Sequence, residues 1–225
     1  MNKYNLPKGY LSYSAYALWK RDKEAYRRRY YENEPSFETR ETIFGKRIAK
    51  MLEENHKDFD HVPRLDTPEY AIDVELDGLK LKGYLDTFDS KTFGFGEYKT
   101  GHADKYGKDP WDAVKVRKHE QLVFYSLLIK LKHGKVKNKT WLAWLETILQ
   151  GKSISFAGHT LESDSQEVIL TGRIQIFERV IFEWERKKLI KEIKKIATEI
   201  TDDYENYLKV HEPLSKEVAQ EIAAK

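Results

Sequence analysis

Alternating apolar and polar residues predict three consecutive β-strands in the middle of the chain. The strands cover Tyr70 to Leu76, Leu81 to Asp89 and Phe93 to Gly101. Asp77-Gly78 is a typical two-residue hairpin turn, and Asp89-Ser90-Lys91 is turn-like as well. The three strands are therefore expected to form an antiparallel meander.

Helical spacing of apolar residues flanks the strands on both sides. The first helix is expected to begin at Ser12, which is a suitable N-cap, and to run to about Tyr30. Further helices are predicted at Glu41 to Glu54, Asp109 to His133 and Glu183 to about Tyr207. The second of these, Asp109 to His133, would be a crossover helix that ends at Gly134.

Two or three more strands are predicted before the last helix. Thr140 to Leu149 is almost continuously apolar, as expected of a strand buried on both faces. Gly151 to Phe156 and Glu167 to Phe177 also have strand patterns, although a helix beginning near Ile174 is the competing interpretation. The order of elements predicts one α/β domain over residues 1–212, with a mixed central sheet flanked by helices, a C-terminal hairpin and a long helix; residues 213–225 would be a short tail.

Composition narrows the class of protein without defining it. The chain has 225 residues, of which 40% are apolar and 34% charged, as in a globular protein. Its formal net charge of +3 permits nucleic-acid binding without arguing for it. There is no cysteine for a disulfide, and no apolar stretch is long enough to span a membrane. We therefore expect a cytoplasmic protein of bacterial or phage type with no membrane partner.

The second and third strands carry the most suggestive chemistry. Glu97 and Lys99 are two residues apart and project to one face. Asp86 would join them if the hairpin register places it opposite or diagonal to Glu97, whereas a slip of one residue would send it to the other face. Two carboxylates and a lysine at one place suit a bound divalent cation. The alternative is an exposed Glu–Lys pair beside an unrelated aspartate.

Three short motifs occur in an informative order: Gly83-x-x-Asp86, Glu97-Tyr98-Lys99-Thr100-Gly101 and Gln121-x-x-x-Tyr125. This set resembles the PD-(D/E)XK nuclease superfamily, in its RecB-like and Cas4-like branch. The resemblance extends from Leu11 to at least Tyr125. It implies a restriction-endonuclease-like α/β core and a metal-dependent DNA nuclease, expected to be an exonuclease, in DNA processing, recombination or repair.

The resemblance also implies a role for each motif residue. Asp86 and Glu97 would hold Mg²⁺ or Mn²⁺ with the backbone carbonyl of Tyr98, and Lys99 would position the attacking water. Gln121 and Tyr125 would steady the substrate or Lys99. Many relatives carry an iron–sulfur cluster bound by four cysteines, which this chain cannot hold.

One position departs from the pattern of the branch. Gly45 matches the glycine of a GxxxH motif whose histidine is an additional metal ligand, but the histidine position is occupied by Ala49. Glu41 or Glu53 could replace that ligand, and we keep Glu53 as the candidate. The alternative, which the pattern favours for both glutamates, is a solvated helix charge.

Basic residues interleaved with aromatic ones suggest a DNA-binding helix near the N-terminus. They are Lys20, Arg21, Arg27 and Arg28, and Lys105 in the loop after Gly101 would add to them. The alternative is a helix with a packed aromatic side and a solvated basic side. His119 is expected on a helix surface or at the edge of the DNA site.

Three functional hypotheses follow. The first is a nuclease with DNA as its partner, working with a helicase, a recombinase or a CRISPR-type integrase. The second is a PD-(D/E)XK fold that binds DNA or protein without cutting. The third is a structural or regulatory factor whose Glu-x-Lys sequence is accidental.

Overall fold

The computed structural model describes residues 3–35, 37–103, 108–150, 153–156, 159–162 and 167–211. Its helices are α1 (Tyr13–Arg21), α2 (Lys23–Tyr30), α3 (Arg40–Glu53), α4 (Ala113–Arg117), α5 (Glu120–His133) and α6 (Glu183–His211), with a short 3-10 helix at Lys57–Phe59. Its strands are β1 (Leu11–Ser12), β2 (Thr67–Leu76), β3 (Leu79–Phe88), β4 (Phe95–Gly101), β5 (Lys139–Gln150), β6 (Ser153–Phe156), β7 (His159–Glu162) and β8 (Glu167–Val180). None of these helices is both long enough and apolar enough to cross a lipid bilayer.

Six strands form one mixed sheet. Its order is β1-β3-β4-β5-β8, and β2 pairs with β3. The β3–β4 and β5–β8 pairs are antiparallel, whereas β4 and β5 are parallel and are connected through α4 and α5. The remaining two strands, β6 and β7, form a separate antiparallel pair. The predicted meander and the mixed α/β fold with a long C-terminal helix are confirmed.

The chain is divided into two compact units. One comprises the described residues within 1–35, 74–82 and 188–225, and its aromatic core includes Trp19, Tyr26 and Tyr31. The other comprises residues 36–73 and 83–187 and contains α3, α4, α5, β4 and β5. The three sequence motifs lie entirely in this second unit. The predicted tail, residues 213–225, lies outside the described residues.

Two predicted helices are each divided into two in the structure. Ser12 is the expected N-cap of α1, but the helix ends at Arg21, and the Asp22 carboxylate caps α2 by accepting the Ala25 N–H at 2.9 Å. The predicted crossover helix is likewise divided into α4 and α5. Between them, the Arg179 guanidinium donates to the His119 carbonyl at 2.6 Å.

The competing helical interpretation from Ile174 onward is wrong. β8 continues as a strand to Val180 and pairs with β5, with Ile174 opposite Leu145 and Arg179 opposite Thr140. The alternation of apolar and polar residues therefore described this segment better than its helical spacing did.

Candidate active site

The site begins where β3 and β4 separate. Their register pairs Thr87 with Gly96 and Phe88 with Phe95. The next residue on each strand beyond this pairing is Asp86 on β3 and Glu97 on β4, and the Asp86 carboxylate is near enough to raise the pKa of Glu97. Instead of continuing the ladder, the Asp86 Oδ2 atom accepts the Tyr98 N–H at 2.7 Å. A carboxylate thus takes the place of a backbone acceptor at the opening of the sheet.

The same geometry orients the carbonyl of Tyr98. Within a strand, the N–H and the C=O of one residue point to the same neighbour. Because the Tyr98 N–H is directed to Asp86, its carbonyl faces the β3 side, where the strands have separated. The ring of Tyr98 is anchored elsewhere, since its hydroxyl donates to the Pro63 carbonyl at 2.7 Å.

Glu97 is the most buried acidic residue of the site. It is 2% exposed, and the Lys99 Nζ atom donates to its Oε1 at 2.6 Å. Burial, followed by repulsion from the nearby Asp86 carboxylate, raises the pKa of Glu97 to about 8, although Lys99 opposes this shift. Burial also raises the pKa of Asp86, against the Tyr98 N–H and the charge of Lys99. The three charged groups are therefore electrostatically coupled.

Helix α5 closes one side of this charged group. The Gln121 amide donates to the Tyr125 hydroxyl at 2.9 Å, one turn further along the helix. Glu97 Oε2 has no hydrogen-bond partner of standard geometry among the described residues, but Gln121 is near enough to lower the pKa of Glu97. The structure thus brings together Asp86, Glu97, Lys99, Gln121 and, through Gln121, Tyr125.

The glycine of the first motif explains how α5 comes so close. A Cβ atom on Gly83 would lie 2.7 Å from Leu128 Cδ1 and 3.1 Å from Tyr125 Cε1. Only a residue without a side chain allows the helix to pack at this distance. Gly83 therefore connects the first motif physically to the third.

The opposite side, formed by α3, is open. A cavity of about 480 Å³ is lined by Asp86, Lys99, Glu41 and Ala49. A second cavity, of about 350 Å³, is lined by Asp86, Ala49, Glu53 and Glu69. Ala49 is solvent-exposed and borders both cavities. Both glutamates proposed as substitutes for the missing histidine therefore face space that Asp86 also reaches.

Glu69 is a further acidic residue that the sequence analysis missed. It lies in β2 with a positive φ of 44°, and its charge raises the pKa of Asp86. Glu69 could have been predicted from the sequence, because the hairpin turn Asp77-Gly78 is flanked by Leu76 and Leu79. Counting seven residues outward from each of them pairs Glu69 with Asp86.

Of the two positions expected for His119, the helix surface is wrong and the edge of a DNA site stays a prediction. It is half-buried at the start of α5, with its ring 4.9 Å from that of Trp111 in an edge-on arrangement. Burial and then the charge of Lys99 lower the pKa of His119 to about 4. A neutral imidazole therefore lies beside the site near pH 7. Its burial follows from the break between α4 and α5, which the sequence pattern did not reveal.

Four predicted DNA-binding residues lie in α1 and α2, in the other unit, and three of them form ion pairs there. Arg27 Nε donates to Asp203 at 2.9 Å, and Lys20 Nζ is 2.6 Å from Glu192. Arg28 contacts Glu34 at 3.2 Å, whereas Arg21 is exposed. The fifth residue, Lys105, lies outside the described residues.

The donor set suits a hard divalent cation. Across the described part of the chain, no group of three or more histidine, cysteine or acidic side chains is close enough to hold a metal. Asp86, the unsatisfied oxygen of buried Glu97 and the outward-facing Tyr98 carbonyl nevertheless offer three oxygen ligands. Mg²⁺ keeps several waters and commonly takes only one or two protein carboxylates, so the residues present fit it.

Similar solved structures have been found, although no protein-family model matches the sequence and no curated protein matches it. A candidate exonuclease from Eubacterium rectale is 12% identical, with a TM-score of 0.55 over 87% of this chain and 82% of its own. A phage-related exonuclease from Haemophilus somnus 129PT is 12% identical, with a TM-score of 0.49 over 80% and 79%. An alkaline exonuclease from Laribacter hongkongensis is also 12% identical, with a TM-score of 0.44 over 94% of both chains. At these identities the first likeness shows the fold alone, and the chain shares the fold of the Eubacterium rectale protein.

Proposed function

We propose that this chain is a divalent-metal-dependent deoxyribonuclease of the PD-(D/E)XK type, acting as an exonuclease in DNA processing, recombination or repair. The observation that carries the proposal is the convergence of Asp86, Glu97 and Lys99 where β3 and β4 separate. The order of the three motifs and the shared fold with a candidate exonuclease support it.

Each residue has a definite task in this proposal. Asp86, Glu97 and the Tyr98 carbonyl would hold Mg²⁺ or Mn²⁺. When bound, such an ion lowers the pKa of its water and stabilises the charge that develops on a phosphate. The Lys99 ammonium is fixed by Glu97 and would orient the water or stabilise the phosphate oxygens. Gln121, held by Tyr125, keeps the buried carboxylate in position.

The test compares Lys99→Ala with Lys187→Ala, which removes an exposed lysine on α6. We expect Lys99→Ala to lower Mn²⁺-dependent cleavage of linear DNA by at least about 10²-fold, the usual cost of removing one transition-state donor. Circular dichroism should show an intact fold. Undiminished cleavage by Lys99→Ala would contradict the proposal.

The second candidate is a DNA- or protein-binding module that does not cut. The observation that favours it is the exposed alanine, Ala49, at the position of a metal ligand in the resembling branch. Calorimetric titration with Mn²⁺ separates the two functions. Binding that Asp86→Asn abolishes supports the nuclease, whereas no binding by the wild-type protein supports the module.

A further inference from the structure

An apolar groove lies between α3 and β8, in the same unit as the candidate active site. Its volume is about 970 Å³. Its floor includes the buried side chains of Ile48, Phe59 and Leu145, and Phe44 lies partly buried beside them. Ile43, at its edge, is 55% exposed. The groove therefore combines a buried apolar floor with an exposed apolar residue at its edge.

The groove is continuous with the candidate active site. Phe44, Ile48 and Val168 line both the groove and the cavity that contains Asp86 and Lys99. A polymer with one phosphate between Asp86 and Lys99 can therefore extend along α3 into the groove. Because the groove and the cavity share a wall, a ligand that occupies both would be a continuation of the substrate.

The charges around the groove favour a polyanion along the α3 side. Arg40 and Arg47 both line it from α3, and Arg47 has no ion pair with any described residue. They are seven residues apart, or roughly 10 Å along the helix. In a strand with stacked bases, which rises about 3.4 Å per nucleotide as in one strand of B-DNA, this spacing corresponds to about three nucleotides.

The β8 side of the groove has a different charge balance. Arg173 is already held there by Asp109 at 2.7 Å and by Glu146 at 3.0 Å. Asp58 and Glu167 also line the groove and would disfavour phosphates near them. Arg47 therefore places a positive charge that has no described ion-pair partner at the α3 edge, beside the apolar floor.

We propose that this groove binds the unpaired bases of a single DNA strand, about three nucleotides long, whose phosphates follow Arg40 and Arg47. The inference rests on the proposed nuclease function and specifies the form of its substrate. Base faces gain from stacking on aromatic and apolar side chains, and Phe44 offers such a surface. A duplex cannot use the floor in this way, because its base faces are already stacked on one another.

The test measures fluorescence anisotropy with a labelled oligothymidylate and a labelled blunt hairpin duplex, in chelator so that neither is cut. We expect Ile43→Glu to weaken binding of the oligothymidylate by roughly tenfold, the contribution of one stacked base. The loss for the duplex should be smaller. Arg47→Glu, at an exposed position that surface substitutions tolerate, should also weaken binding of the single strand. Melting curves establish that both variants are folded.

Two matched controls lie in the same unit outside the groove lining. Ile176→Glu places the same charge at a position that is 51% exposed on β8, and Lys187→Glu reverses an exposed charge on α6. Both should bind the oligothymidylate like the wild type. Equal affinities for Ile43→Glu and Ile176→Glu would overturn the proposal.

Light scattering distinguishes strand binding from self-association through the same groove. If the wild type self-associates, and Ile43→Glu separates the copies without affecting the oligothymidylate, the groove is an interface and the proposal fails. A wild type that stays monomeric while Ile43→Glu loses the oligothymidylate supports strand binding.

Hydrolysis of a small diester tests the nuclease function alone. The substrate is bis(p-nitrophenyl) phosphate with Mn²⁺ and the wild-type protein, since this diester is too small to fill the groove. Hydrolysis with no effect of Ile43→Glu on strand binding would refute the groove and leave the proposed nuclease standing. Loss of strand binding without hydrolysis would support the groove and count against the nuclease.

Discussion

The two sides of β4 are built in opposite ways. On the α5 side, Glu97 is 2% exposed, is paired with Lys99 and lies beside Gln121. On the α3 side, Ala49 and Glu69 are exposed and border open cavities. The closed side fixes the geometry and pKa of the charged groups, whereas the open side is where a ligand can enter. A ligand position is more easily replaced on the open side, because substitution there disturbs little packing.

Each side of β4 contains one closely packed glycine, and replacing the glycine on the α5 side should have the largest effect on stability. Gly83→Ala should destabilise the protein by about 1–3 kcal/mol, because the new Cβ would overlap Leu128 and crowd the Tyr125 ring in a packed region. Thermal and urea unfolding measure this change.

Gly45→Ala is the matched substitution on the α3 side. Its Cβ would lie 2.9 Å from Thr100 Oγ1, but a threonine side chain can rotate and the helix gains roughly 1 kcal/mol from the alanine. We expect its free energy of unfolding to stay near that of the wild type. Equal destabilisation by both substitutions would show that the two sides are packed alike.

How much of the fold could be predicted depends on whether a contact is local in the sequence or joins distant segments. The β3–β4 hairpin and the cap at Ser12 follow from local alternation and hydrogen bonding, so local rules were sufficient. The break before α5 depends on Arg179, which lies far along the chain and donates to the carbonyls of Val116 and His119. No periodicity within the helix contains that information.

The predicted DNA-binding helix illustrates the same limit. Arg27 and Lys20 were identified from their spacing among aromatic residues, but their partners Asp203 and Glu192 lie more than a hundred residues later in the sequence. A count of basic residues cannot distinguish a phosphate ligand from half of an ion pair. Glu69, by contrast, could have been found by counting outward from the hairpin turn.

The burial of Glu97 predicts an unusual pH dependence of stability. Its pKa of about 8 in the folded protein lies above the ordinary value of 4.5, so the folded state binds more protons between these pH values. The contribution of Glu97 to stability is therefore present below about pH 4.5 and is lost as the pH rises through about 8. The loss cannot exceed about 1.4 kcal/mol per pH unit.

Glu97→Gln removes this titration and keeps the shape of the side chain. In chelator, its melting temperature relative to the wild type should rise between about pH 5 and pH 8 and level off at higher pH. Thermal unfolding across that range measures the difference. Parallel profiles for the two proteins would mean that Glu97 titrates normally and that the α5 side is wetter than its burial indicates.

The smallest expected effects are on metal affinity at the open side. Ala49→His adds an imidazole to both cavities that Asp86 borders, and should tighten Mn²⁺ binding by a few-fold. Glu69→Gln should weaken it by roughly two- to fivefold, since an exposed charge contributes at most about 1 kcal/mol. Calorimetry measures both affinities. Glu54→Gln is the control, because Glu54 is exposed at the C-terminal end of α3 and lines neither cavity. If Glu69→Gln and Glu54→Gln weaken binding equally, Glu69 acts only through the general charge of the surface. If Ala49→His has no effect, the proposed metal site lies nearer to α5 than to the cavities beside Ala49.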